Sequence, residues 1–228
     1  MKYNHFLFDL DNCLLNIPNS KDYFDSILLE TLRHSSTKRT PERKERNKFW
    51  FSGNGYIDYL KKWGTNNVHD FWKCFDEIDY EYRKILVQKN EILLFNDAKS
   101  VLEELYNENK KLAIISNSAD YIVDFIVKKF NINKYFNYFF GLSFDKDQSI
   151  AKPSPLGVLS VLEKLKYDPT KEKAIMIGDS IVDVYAAKKA NISACLIRRD
   201  KSKYPDGYSA WEFNPDFVID QLNEILNI

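Results

Sequence analysis

From about Leu93 onward the chain repeats one pattern: a short apolar run, a polar break, then apolar residues every three or four positions. Leu112–Ile115, Ala174–Ile177 and Ala194–Ile197 are such runs, Phe136–Phe140 is another, and Phe217–Ile219 is a short last one. A run without polar alternation reads as a strand buried on both faces, and strands that alternate with helices build a parallel, doubly wound sheet. Phe6–Phe8 adds one more strand near the N-terminus. The helices between them show apolar stripes, with Val101, Leu102 and Leu105 on one face of Asp97–Asn107. Further helices are predicted over Tyr121–Phe130, after Ser154 as N-cap with Pro155 at the first helical position, and through Val184 to Lys189. Sheets of this class bind ligands at the C-terminal ends of their strands.

Between about Asp22 and Lys89 the period is helical throughout. Phe71, Phe75, Ile78 and Tyr82 form one apolar stripe, and breaks fall at Ser35-Ser36, Thr40-Pro41, Gly53-Asn54-Gly55 and Gly64-Thr65-Asn66-Asn67. This predicts a bundle of helices with short connections. The expected organisation is therefore an α/β core domain over residues 1–16 and 93–228, with a smaller all-helical domain over residues 17–92.

Charge and composition narrow the function classes. Lys plus Arg number 33 and Asp plus Glu number 33, so the chain lacks the basic field of a nucleic-acid binder. Arg33–Lys48 is a local exception, with seven Lys or Arg against two Glu; it reads first as a solvated face and second as a surface that steers anions. Cys13, Cys74 and Cys195 are few and widely spaced, which fits reduced thiols better than a disulfide framework or a zinc site. No run approaches the length of a membrane span and no signal-type segment opens the chain. The expectation is a soluble cytoplasmic protein without a membrane partner. The sequence carries no expectation about oligomeric state.

Four strand ends carry polar groups, and each has an ordinary structural explanation. Asp9 and Asp11 lie two apart and face one side of an extended segment, or form an Asx turn. Ser116, Asn117 and Ser118 follow Ile115, where a hydroxyl and backbone amides can hold an anion, or where Ser118 simply caps a helix. Lys152 precedes Pro153-Ser154-Pro155 on a loop, where most lysines are solvated. Gly178-Asp179-Ser180-Ile181-Val182-Asp183 is a second acidic pair, open to a helix-dipole explanation except that Asp179 and Asp183 stand four apart. Taken singly, the structural explanations lead. All four in this order, each at a strand end, point to a site.

These motifs resemble the four ordered motifs of the haloacid dehalogenase-like superfamily: Asp9-Leu10-Asp11, Ser116-Asn117, Lys152-Pro153 and Gly178-Asp179-Ser180-x-x-Asp183. The resemblance spans nearly the whole chain and implies a phosphatase with a helical cap inserted after the first motif. It implies Asp9 as nucleophile through an aspartyl-phosphate and Asp11 as general acid and base. It implies Ser116, Asn117 and Lys152 at the phosphoryl group, with Lys152 also neutralising charge on Asp9. Mg²⁺ is the implied cofactor, held by Asp9, Asp179 and the Asp11 carbonyl, with Asp183 bracing the site or reaching the ion through water. The implied substrate is a small phosphorylated metabolite, selected by cap loops such as Gly53-Asn54-Gly55.

Two positions depart from the family pattern, which has Gly and then Thr or Val where this chain has Asn12 and Cys13. Asn tolerates left-handed backbone angles, and Cys fills the Thr space with a weaker donor. A catalytic thiol at Cys13 lacks a neighbouring histidine. A phosphomutase, a dehalogenase (a branch that lacks the second acid) and an inactive binding protein on the same fold remain as alternatives.

Overall fold

β1 (His5–Phe8) is buried at every position, as a central strand is when both faces of its sheet are covered. In this computed structural model, which describes residues 2–35, 37, 39–50, 52, 55–65, 67–146 and 148–228, β1 pairs in parallel with β4 (Lys111–Ile115) and β6 (Ala174–Gly178). β5 (Tyr138–Phe140), β7 (Ser193–Ile197) and β8 (Phe217–Ile219) complete a six-stranded sheet in the order β5-β4-β1-β6-β7-β8, parallel at every pairing. This is the α/β, doubly wound architecture expected from the alternation. Two two-residue strands, β2 (Leu15–Asn16) and β3 (Leu93–Leu94), pair separately and are too short to show a period.

The helices are α1 (Ser20–His34), α2 (Arg43–Phe49), α3 (Tyr56–Trp63), α4 (Val68–Gln88), α5 (Ala98–Asn107), α6 (Asp120–Lys129), α7 (Leu156–Lys164) and α8 (Ile181–Lys189). Leu7, Ala113, Met176 and Ala194 of the sheet pack with Val158, Val161 and Leu162 of α7 and with Val184 and Ala187 of α8. None of the described helices is long and apolar enough to cross a membrane.

Three element ends differ from expectation. β5 begins at Tyr138 rather than Phe136, because Asn137 turns its side-chain oxygen to the Leu112 N–H at 2.9 Å. α7 begins one residue late, with Pro155 as its cap; the Ser154 N–H is still committed to the turn at Ala151 O, 2.9 Å away. α6 is capped at Ala119 rather than Ser118, whose hydroxyl is used elsewhere.

Five consecutive helices, α4 to α8, end in the same way. The residue just past each cap has φ of +54° to +58°: Asn90, Asn109, Asn131, Lys166 and Asn191. At each, that residue and the next donate back into the last turn, as Asn131 N–H does to Lys128 O at 3.1 Å and Ile132 N–H to Val127 O at 3.0 Å. This is the Schellman arrangement usually closed by glycine. With only seven glycines in the chain, asparagine fills four of the five positions and Lys166 the fifth.

The residues divide into two compact units. One comprises Met1–Asn16, Leu94–Leu142 and Ile150–Ile228 and contains the six-stranded sheet; the other comprises Ile17–Leu93 and Ser143–Ser149 and contains α1 to α4. Ser143–Ser149, which periodicity assigns to the α/β part, is held by its own neighbours in the helical unit: the Phe144 N–H donates to Asp76 Oδ2 at 3.0 Å. The inward face of α4 is not the apolar stripe expected. Phe71 and Phe75 are buried, but Tyr82 is 37% exposed, and Asp76, Asp79 and Arg83 are buried instead. Arg83 Nε donates to Asp79 Oδ1 at 2.8 Å and the Tyr23 hydroxyl donates to the same oxygen at 2.5 Å. Arg46 makes a two-pronged pair with Asp25, at 2.7 Å for each bond. Pairing is what lets these charges lie inward.

Candidate active site

All seven singled-out residues, Asp9, Asp11, Ser116, Asn117, Lys152, Asp179 and Asp183, belong to the α/β unit. Asp9 and Asp11 follow β1, Ser116 and Asn117 follow β4, and Asp179 follows β6. These are three adjacent strands with matched register, so their C-terminal ends come together. The Asp9 N–H continues the ladder to Ile177 O at 2.8 Å, which holds its carboxylate at the edge of the sheet.

Lys152 is the centre of the arrangement. It lies on a loop but is buried, at 6% exposure, unlike the solvated lysine such a position suggests. Its ammonium donates to Asp9 Oδ1 at 2.5 Å, Asp183 Oδ1 at 2.7 Å and Ile115 O at 2.8 Å. Three acceptors match its three donors. Asn117 fixes the lysine's main chain: its Nδ2 donates to Lys152 O at 3.0 Å and its Oδ1 accepts from Lys152 N–H at 2.9 Å. The side chain of Asn117, expected at the phosphoryl group, is thus engaged with Lys152.

Asp183 has two roles. Oδ1 receives Lys152, while Oδ2 accepts from the Ser180 N–H at 3.0 Å and the Ser180 hydroxyl at 2.6 Å, forming a capping box at the start of α8. Capping and charge pairing, weighed as rival explanations on sequence, coexist. Gly178 makes room for this: a Cβ there would lie 2.2 Å from Asp183 Cγ. Asp11 is half-buried and accepts from the Ser118 hydroxyl at 2.7 Å. Ser116 Oγ accepts from the Ser118 N–H at 3.0 Å, which orders the turn after β4.

The two departures are accommodated. Asn12 has φ +57°, the left-handed angle its side chain tolerates. Cys13 is buried and its thiol faces Ile177 O at 3.6 Å. Burial and the Asp9 charge push that thiol well above its usual range, so it is a packing and hydrogen-bonding group, not a nucleophile.

Electrostatically the cluster is short of positive charge. Burial pushes the Asp9 carboxyl well up; Lys152 pulls it back, and Asp183, Asp179 and Asp11 push it further up. Burial also raises Asp179, against the pull of Lys203. Lys152 keeps its proton because Asp183 and Asp9 together outweigh its burial. Asp9, Asp179 and Asp183 each place a carboxylate oxygen within 4.8 Å of the others. Hard oxygens at that spacing fit Mg²⁺. Asp183 has both oxygens committed, so Asp9 and Asp179 are the freer donors.

Two residues escaped the sequence reading. Arg199, beyond β7, donates to both oxygens of Asp97 at 2.8 and 2.7 Å and to Cys13 O at 3.1 Å, with its guanidinium 4.0 Å from the Phe95 ring centroid. It pins the loop that follows Asp11. Lys203 donates to Asp179 Oδ2 at 2.7 Å. Nothing local to either residue marks it, since each partner is distant in sequence.

A family model described as haloacid dehalogenase-like hydrolase matches residues 6–197. Pyrophosphatase PpaX of Listeria monocytogenes serotype 4a (strain HCC23) is 28% identical over 232 residues, covering 100% of this chain and 96% of that protein. Pyrophosphatase PpaX of Bacillus mycoides (strain KBAB4) is 25% identical over 229 residues, covering 100% and 97%. Among solved structures, CbbY from Rhodobacter sphaeroides in complex with phosphate is similar with a TM-score of 0.71 at 18% identity, covering 98% of this chain and 96% of that one.

Proposed function

Because the chain belongs to the haloacid dehalogenase-like hydrolase family, we propose that it is a Mg²⁺-dependent phosphatase that hydrolyses a small phosphate ester through an aspartyl-phosphate on Asp9. The observation that carries this is the Lys152 ammonium lodged between Asp9, just past β1, and Asp183, in the first turn of α8. Against the burial that pushes the Asp9 carboxyl up, the buried lysine favours the anionic form, and the same positive charge faces an incoming phosphoryl group.

Asp9 attacks phosphorus while Asp11, oriented by the Ser118 hydroxyl, protonates the leaving oxygen. Asp11 then takes a proton from the water that hydrolyses the phosphorylated Asp9. Ser116 and the amides of its turn bind phosphoryl oxygens. Asp9 and Asp179, with Asp183 behind them, would hold Mg²⁺, which when bound would offset charge on the phosphoryl oxygens. Asp11 separates this reading from dehalogenation, which needs no second acid.

The helical unit is proposed as the cap that selects the substrate. Gly53 and Asn54 of the expected specificity loop lie outside the described residues. Inorganic pyrophosphate joins sugar phosphates and nucleoside monophosphates as a candidate, supported by the relatives named pyrophosphatases.

The test is phosphate release from an aryl phosphate, these sugar and nucleoside phosphates, phosphoglycolate and pyrophosphate, with and without MgCl₂. Mg²⁺-dependent turnover that vanishes in Asp9→Asn is expected. No turnover across the panel, or turnover unchanged in Asp9→Asn, would sink the reading and favour a binding protein on the same fold.

A further inference from the structure

Two lysines reach the carboxylate cluster, and they are held very differently. Lys152 is saturated by three acceptors and buried. Lys203 has one carboxylate partner among the described residues, Asp179, and its side chain is 25% exposed. Its neighbours do not compete for that contact. Arg198 and Lys201 both pair with Asp220, and Ser202 bonds to Asp200.

The placement of Lys203 is built, not incidental. The next residue, Tyr204, accepts a hydrogen bond at its hydroxyl from the Ile181 N–H at 3.0 Å, at the first turn of α8. Its ring packs edge-on against Trp211, with centroids 4.8 Å apart, and Trp211 in turn packs against Tyr208 at 5.1 Å. The aromatic anchor fixes the backbone at Tyr204, so the ammonium one residue earlier is presented to Asp179 on a flexible four-carbon stem.

The charges make the pairing meaningful. When all are ionised, Asp9, Asp11, Asp179 and Asp183 set against Lys152 alone leave three negative charges; Lys203 cancels one of them, and a divalent cation in its place would cancel two. An ion on Asp179 and an ammonium on the same half-buried carboxylate would repel far more strongly than in water. Lys152 has no alternative to its place. Lys203 has solvent on one side.

We propose that Lys203 is a displaceable counter-cation of the metal centre, holding Asp179 in the metal-free protein and releasing it when a divalent cation binds. The inference rests on the reading of Asp9 and Asp179 as the metal ligands. It gives the site a stand-in charge, so that Asp179 is not left buried and unpaired while metal is scarce. It also sets a threshold on affinity, because the ion must compete with an ammonium already in place.

Calorimetric titration of Mg²⁺ into the wild type, Lys203→Met and Lys203→Arg tests this. Lys203→Met should bind Mg²⁺ roughly tenfold more tightly, the scale of coupling between two ligands that share one group, and its metal-free form should melt earlier. Lys203→Arg should stay near the wild type. Equal or weaker Mg²⁺ binding by Lys203→Met would overturn the proposal. Should that variant fail to fold without metal, pulse acetylation of the wild type serves in its place. Modification of Lys203, measured by mass spectrometry against that of Lys201, should rise when MgCl₂ is added; unchanged or stronger protection would overturn the proposal. Failure of both the wild type and Lys203→Met to bind Mg²⁺ would instead remove the metal reading, and this inference with it.

Discussion

Asn117 grips the main chain of Lys152 from both sides, at 3.0 and 2.9 Å, and so sets where the ammonium points. Asn117→Ala should lower kcat by about 10²-fold, the scale of a small misplacement of a reacting group, with little change in melting temperature because Asn117 itself is exposed. Steady-state kinetics and a thermal melt check both halves. Lys152→Ala should behave differently from a surface change. It leaves Asp9 and Asp183 buried without their cation, and breaking such a pair costs about 3–5 kcal/mol; urea unfolding without metal should show the loss. The two acids after β1 should also separate. With an aryl phosphate, Asp11→Asn should accumulate a phosphoryl adduct on Asp9 that intact-protein mass spectrometry detects after an acid quench, and Asp9→Asn should show none. The residues whose chemistry is local were legible in the sequence, because Asp9, Asp11, Ser116 and Asp179 each end a recognisable apolar run. Lys203 and Arg199 were not, because their partners, Asp179 and Asp97, lie far away along the chain and only the sheet order brings them near.

At the scale of elements, the turn from β6 into α8 has the least freedom. Gly178→Ala would put a methyl group 2.2 Å from Asp183 Cγ. Asp183 must then shift, disturbing the Ser180 capping box and the Lys152 pair at once. The expected result is a loss of about 1–3 kcal/mol, the usual range for overpacking, together with weaker Mg²⁺ binding. A variant with wild-type stability and affinity would show that Asp183 has more room than its two sets of bonds suggest. Strand positions were readable to within a residue or two, since burial on both faces leaves an unbroken apolar run. The α4 stripe was misjudged for the converse reason. Counting apolar residues places Tyr82 inward and Asp79 outward, whereas Tyr23 and Arg83 satisfy Asp79 and let it face in. Periodicity reads side-chain polarity and is blind to partners.

Across the whole molecule, each unit carries a carboxylate whose charge the fold protects. In the helical unit, hydrogen bonds from Arg46 hold Asp25 below the usual carboxylate range. In the α/β unit, burial would raise Asp97, but Arg199 and the Leu222 N–H outweigh it and hold it low. Both groups ionise more readily folded than unfolded. Their stabilisation is therefore complete above the unfolded value of about 3.9 and is lost as pH falls through the lower folded values. Urea melts from pH 7 to pH 3 should show stability dropping at the acid end, and Asp97→Asn should be less stable at pH 7 yet fall less steeply. The five left-handed helix endings act at this scale too. Four of them depend on asparagine, whose side-chain amide hydrolyses slowly in water. Each hydrolysis leaves an aspartate at the negative pole of a helix, at a cost of roughly 0.3–1 kcal/mol. A stored sample should therefore gain mass by single daltons and melt progressively earlier, while one with glycine at positions 90, 109, 131 and 191 should keep its melting temperature. The scarcity of glycine thus gives this protein a chemical clock at its helix ends.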